Sequence, residues 1–244
     1  MKTKIKFAIQ YVLVSFLVLL VTGCDLEVKE KFKFDAGIEP QVTFGSKTPW
    51  QFIQEQNSFP LPPVQPAPPA EQLPIPAKIN EYLFMKQAIE VTGMQGEYSN
   101  LTDKRTFFFL KDVAFIQILT TEFSNAKFII DPVTATVNPL ININKLRNIL
   151  RYHILTTYVD QGPDNLFIVD KDYVFTSLWK ATPMSLRRNI NFTIVLNQLV
   201  SLNTVALRRG GNCTLHNYIF SNGNSVAHVL TTFYARNGVY DIAP

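Results

Sequence analysis

The sequence predicts an α+β domain, and three observations carry that expectation. Helix caps and apolar residues at helical spacing gather between residues 48 and 153. Short β-branched and aromatic runs, separated by Gly/Asn turn residues, dominate afterwards. The 244 residues also leave, beyond a hydrophobic leader, enough chain for one good core.

The leader comes first. Lys2, Lys4 and Lys6 precede an apolar run from Phe7 to Leu20, broken only by Gln10 and Ser15. The run is short for a membrane span, which needs about 20 apolar residues. It suits the h-region of a signal peptide. Val21-Thr22-Gly23-Cys24 follows and resembles the lipobox of bacterial lipoproteins, in which the cysteine receives diacylglycerol before cleavage. Residues 1–23 are therefore expected to be a lipoprotein signal peptide and Cys24 a lipidation site. The protein would be held on the cell envelope, on the outer membrane, facing the periplasm or the surface. Without the three leader lysines, the 23 basic residues become 20 against 19 acidic ones. So small a balance gives no footprint for nucleic acid. With Cys24 lipidated, Cys213 is the only other cysteine and no intramolecular disulfide can form.

Residues 24–45 read as a mixed-charge tether carrying Glu27, Lys29, Glu30, Lys31, Lys33 and Asp35. A helix should follow. Thr48 can cap it, Pro49 suits its first position, and Gln51 completes a Thr-x-x-Gln capping box. Eight of the 15 prolines then fall between Pro60 and Pro76, so residues 57–77 read as a stiff, polyproline-II-like insertion. Ala77 to Thr92 returns to helix, with Gly93 as its terminating residue. Thr106–Leu110 is a buried-strand pattern. Further helices are expected at Asp112–Leu119 and Asn144–Tyr152, the second stacking Leu146, Ile149, Leu150 and His153 on one face. Strands are expected at Phe167–Val169, Tyr173–Leu178, Phe192–Leu196, Val200–Leu207, Tyr218–Phe220 and Val226–Tyr234. Gly210-Gly211-Asn212, Asn222-Gly223-Asn224 and Asn237-Gly238 supply the turns.

Two motifs resemble the signatures of the fasciclin domain. Thr106-Phe107-Phe108-Phe109-Leu110-Lys111-Asp112-Val113-Ala114-Phe115 matches the family's strand-to-helix signature at Thr106, Phe108, Ala114 and Phe115, with Leu110 in place of a proline. Leu146-Arg147-Asn148-Ile149-Leu150-Arg151-Tyr152-His153-Ile154-Leu155 matches the second, a helix ending in Tyr-His. Two segments compete for the third. Asn237-Gly238-Val239 keeps Asn-Gly-Val but has Asp241 where the family has histidine. Asn222-Gly223 with His228 keeps the histidine at another spacing. The first is favoured by position. The resemblance spans residues 46–244 and implies a wedge-shaped β-sandwich with helices packed along it. It also implies a non-enzymatic adhesion role and no cofactor.

The residues themselves offer little chemistry. His153 ends an amphipathic helix, where an imidazole normally packs and bonds a carbonyl. No nucleophile elbow, zinc-type His pair or phosphate loop is present, and no two of the three histidines share ligand spacing. Asp170 and Asp172 read as turn residues, and Glu122 and Asp131 as isolated acids. Arg187-Arg188 and Arg208-Arg209 either grip acidic glycans or are solvated charges beside turns; the second reading is preferred. Cys213 reads as a small residue near a turn. The expected function is a lipid-anchored binding or adhesion module whose ligand is a glycan or an envelope protein. The alternative is an accessory lipoprotein subunit of an outer-membrane assembly or nutrient-uptake system.

Overall fold

Thr48 starts the first helix as its sequence requires. The structure, a computed structural model, describes residues 41–57, 81–162, 165–180, 183–191, 193–197 and 209–235, all in one compact unit. Helix α1 (Pro49–Gln56) carries the complete capping box: the Gln51 amide donates to Thr48 Oγ1 at 3.2 Å, and the Thr48 amide donates to Gln51 Oε1 at 2.9 Å. Phe52 and Ile53 are buried and Trp50 half-buried. Helix α2 (Leu83–Thr92) starts later than expected, because Glu81 and Tyr82 form a turn. It stops at Gly93, whose left-handed φ of 68° a side chain would oppose. The leader, Cys24, residues 24–40 of the tether, the proline-rich residues 58–80, the strand expected at 200–207, and Asn237-Gly238 lie outside the described residues.

The tether was expected to run to residue 45, but its last residues belong to the domain. Val42–Thr43 forms strand β1, parallel to β7 (Arg209–Phe220), with Val42 opposite Tyr218. Phe44 explains why. Its ring stacks on Phe220 at 4.8 Å and meets Phe52 at 5.0 Å, and Phe52 stacks on Phe109 at 5.7 Å. This aromatic cluster draws the incoming chain and α1 onto the sheet. The flanks of the proline-rich segment also meet, since Asn57 Nδ2 donates to the Tyr82 carbonyl at 3.1 Å. The segment therefore leaves and returns at one place.

A one-turn helix α3 (Gln95–Tyr98) leads to strand β2 (Arg105–Leu110), buried at every position. Helix α4 (Asp112–Glu122) and helix α5 (Ile143–Tyr152) follow, then strand β3 (Ile154–Leu155). Strands β4 (Asp172–Thr176), β5 (Pro183–Arg188), β6 (Ile194–Leu196), β7 and β8 (Ser225–Ala235) complete the chain. The class is α+β. One sheet runs β3-β2-β8-β7-β6-β5-β4, where two packed sheets were expected. Its outer strands also touch: Leu155 bridges Ser177, and the Leu178 amide donates to the Ile154 carbonyl at 2.7 Å. The sheet thus closes on itself, which removes most free strand edges.

Four local expectations fail for identifiable reasons. Phe167–Val169 is a turn, not a strand, since Asp170 takes φ of 59° and its amide donates to the Arg188 carbonyl. Asp172 is not a turn residue; it opens β4 opposite Arg187, and the two form an ion pair. Arg187-Arg188 are not solvated charges beside a turn. They lie in β5, and Arg188 is only 3% exposed. Gly210-Gly211-Asn212 is not a turn either. It runs inside β7, where Gly211 faces Leu196 on one side and Phe233 on the other.

Candidate ligand-binding groove

The twenty residues between α4 and α5 build a small rigid hairpin beside an open groove. Its ends are fixed by a buried ion pair: Lys145 Nζ lies 2.9 Å from Glu122 Oε2, and the Glu122 side chain is fully buried. Asn142 caps α5 by accepting the Lys145 amide at 3.0 Å. Ser124 and Asn125 turn the chain in left-handed conformations, φ 53° and 60°. Ile130 and Val137 then bridge, closing the hairpin. Asp131 Oδ1 accepts the amides of Val133 and Thr134, so the carboxylate holds the tip together. Asn138 is buried beneath: its Nδ2 donates to the Phe128 carbonyl and its Oδ1 accepts the Leu140 amide, both at 3.0 Å.

The groove has a volume of about 370 Å³ and is lined by Asn125–Phe128, Asp131, Thr136 and Asn138–Leu140. That is within the range of small-ligand sites. Lys127 is exposed and brings the lining's one cation, while Leu140, 53% exposed, offers an apolar rim. Such a lining can hold a ligand by shape, by the Lys127 cation and by small polar side chains, while the Asp131 carboxylate is already engaged through Oδ1 with the tip amides. In the sequence this loop is marked by Ser124-Asn125, Asp131-Pro132 and Asn138-Pro139, which signal turns but not what the turns enclose.

The residues singled out from the sequence are mostly walls of the core. Thr106 Oγ1 donates to the Thr157 carbonyl at 2.7 Å and accepts the Val159 amide at 2.8 Å. Phe108 is buried, with its ring centroid 5.8 Å from that of His228, its partner across the β2–β8 ladder. Phe115 packs on Phe84. The Tyr152 hydroxyl accepts Asn197 Nδ2 at 2.7 Å, and burial pushes its ionisation upward. His153 is 1% exposed and its Nδ1 lies 2.9 Å from the Ile149 carbonyl, so Nδ1 carries the hydrogen. Burial lowers its pKa to about 4, against the opposing pull of that bond. Thr106, Phe108, Tyr152 and His153 thus gather around β2 and β3. Phe115 lies on α4, and none of the five lines the groove. Cys24, Asn237 and Gly238 lie outside the described residues. Asn222-Gly223 forms the turn into β8.

A second buried polar chain was not anticipated. His228 Nε2 donates to the Val159 carbonyl at 2.8 Å, and its Nδ1 faces the Asn217 amide at 3.4 Å. Asn217, at φ 59°, accepts the Gln161 amide at 2.8 Å. The Gln161 carbonyl accepts Arg188 Nη1 at 3.3 Å, and Arg188 Nη2 donates to the Phe167 carbonyl at 3.0 Å. Burial lowers the His228 pKa to about 4 and raises that of the Cys213 thiol well above its usual value. Among the described residues no group of three or more His, Cys, Asp or Glu is placed to hold a metal ion.

No family model matches the chain. No curated protein matches it either. Among solved structures, 14 chains match. One is a FAS1 domain pair from the insect cell adhesion molecule fasciclin I, 11% identical, covering 64% of this chain and 47% of that one, with a TM-score of 0.43. The chain spans about half the length of that solved structure.

Proposed function

We propose that the protein is a lipid-anchored, extracytoplasmic binding module of the adhesion type, fasciclin-like in its motifs, which takes a glycan or protein ligand in the groove between α4 and α5. The observation that carries the reading is a contrast of exposure. The groove of about 370 Å³ is open, with a lining more apolar than polar. The groups best suited to chemistry, His153, His228 and Cys213, are sealed in the core with their neutral forms favoured. Binding asks for a shaped, rigid surface; acid–base or nucleophilic catalysis asks for a titrating group that reaches substrate. The lipid anchor is supported by the order of Lys2–Lys6, Phe7–Leu20 and Cys24.

The test is binding of the full-length protein to arrayed glycans and envelope proteins, repeated with Lys127→Glu/Leu140→Asp. Both side chains are exposed, so the fold should persist. Loss of binding in the variant supports the reading. Equal binding, or turnover of chromogenic esters or glycosides by the wild type, contradicts it.

A further inference from the structure

Two loops at one end of β4 and β5 carry large apolar side chains into solvent. Phe167 is 71% exposed, Ile168 48% and Ile190 70%. They form one tip, because Arg188 stitches the loops together. Its Nη2 donates to the Phe167 carbonyl at 3.0 Å, and its own carbonyl accepts the Asp170 amide at 2.7 Å. Asn189 fixes the other loop, its Oδ1 accepting the amides of Asn191 and Thr193 at 3.0 and 2.9 Å. Rigid loops that hold a phenylalanine and two isoleucines outward are costly in water unless something covers them.

The register of β7 shows what lies next to the tip. Strands β6 and β1 occupy the same edge of β7, since β8 holds the other edge. On that edge Val195 pairs with Asn212 and Val42 with Tyr218. The β5–β6 turn that carries Ile190 and the chain arriving at Gln41 must therefore share the short interval between Asn212 and Tyr218. The chain that precedes the sheet joins it beside the apolar tip. Only residues 25–40 separate Cys24 from Gln41, a reach of at most roughly 55–60 Å.

We infer that Phe167, Ile168 and Ile190 form a membrane-facing tip that inserts into the lipid leaflet holding the anchor; this rests on the lipid-anchor reading of Cys24. The neighbouring charges fit a headgroup boundary. Lys171 is exposed, its ammonium 5.3 Å from the Tyr173 ring, and Arg187 is paired with Asp172. Asp170 is an exposed acid in the same loop as Phe167 and Ile168. Insertion also fixes the domain's orientation, whereas a tether alone would let it tumble.

The experiment uses full-length lipoprotein in phosphatidylethanolamine/phosphatidylglycerol vesicles, with or without brominated acyl chains. Cys213 is buried and Cys24 would be acylated, so a single added cysteine takes a fluorescent bimane. Probes are placed by Phe167→Cys, Ile190→Cys and, as a comparably exposed control, Val113→Cys (61% exposed). The proposal expects vesicles to float with the protein, and brominated lipid to quench most of the emission at positions 167 and 190 but not at 113. Protein that floats without quenching at 167 and 190 overturns the tip and leaves the anchor standing. Protein that neither floats nor quenches overturns both. A blue shift at 167 that grows with protein concentration or with an added envelope protein, without lipid quenching, assigns the tip to a protein partner and overturns the lipid assignment.

Discussion

The imidazole of His153 is hydrogen-bonded at 2.9 Å to the carbonyl of Ile149, one turn back on its own helix. The bond closes the end of α5 just where the chain passes into β3, and the His153 carbonyl accepts the Phe108 amide at 2.9 Å. His153 thus joins helix to sheet. Replacing it with alanine removes buried volume and a bonded ring together, a loss of about 2–4 kcal/mol. Urea unfolding checks the size of the loss. Ligand affinity, measured on the folded fraction, should hold, since His153 is absent from the groove lining.

Stability should fall in acid, and the sign follows from two buried histidines and one half-buried carboxyl. His153 and His228 have pKa values lowered to about 4 by burial, from an ordinary 6.5. Each contributes stability that is present above pH 6.5 and lost as pH falls through 4. Asp112 works the other way. Burial raises its pKa to about 6 from 3.8, against the bonds it accepts from the Phe84 and Leu83 amides. Its contribution is present below pH 3.8 and lost as pH rises through 6. Two histidines outweigh one carboxyl, so the urea midpoint should drop between pH 6.5 and 4. Asp112→Asn should steepen the drop. A midpoint that is flat or rises on acidification would contradict these assignments.

Arg187 and Arg188 are adjacent but should respond differently. Arg188 is buried and forks to the carbonyls of Gln161 and Phe167. Lysine cannot reproduce that fork. Arg188→Lys should cost about 2–3 kcal/mol and speed amide exchange across residues 165–171. The half-buried Arg187 forms an ion pair at the sheet surface, and Arg187→Lys should change stability by about 0–1 kcal/mol. Equal losses from the two variants would show that the buried fork has no special weight.

Local signals were legible in the sequence and distant ones were not. The Thr48–Gln51 box, the stop at Gly93 and the all-apolar β2 follow from residues within one turn or one strand. The misreadings come from pairing. Gly211 looks like turn chemistry, yet strands on both its sides hold it extended. Arg188 looks solvated, because its acceptors lie 27 and 21 positions away. Phe44 joins the core only because Phe52, Phe109 and Phe220 converge on it. The groove had turn residues as its only trace. Turn residues announce a loop and say nothing of the Asn138 side chain that shapes its floor.

Cys24→Ala should abolish incorporation of a palmitate analogue and block cleavage of the leader. Basic, apolar and lipobox segments stand in that order over residues 2–24. Metabolic labelling decides the matter, and undiminished label in the variant would remove the anchor from the account.

The most direct measurement is titration of wild type and Lys127→Glu/Leu140→Asp against whichever arrayed glycan or envelope protein the wild type binds. The account predicts at least about a tenfold rise in Kd, near 1.4 kcal/mol, with the thermal midpoint unchanged. An unchanged Kd in a folded variant would contradict the groove as the binding site.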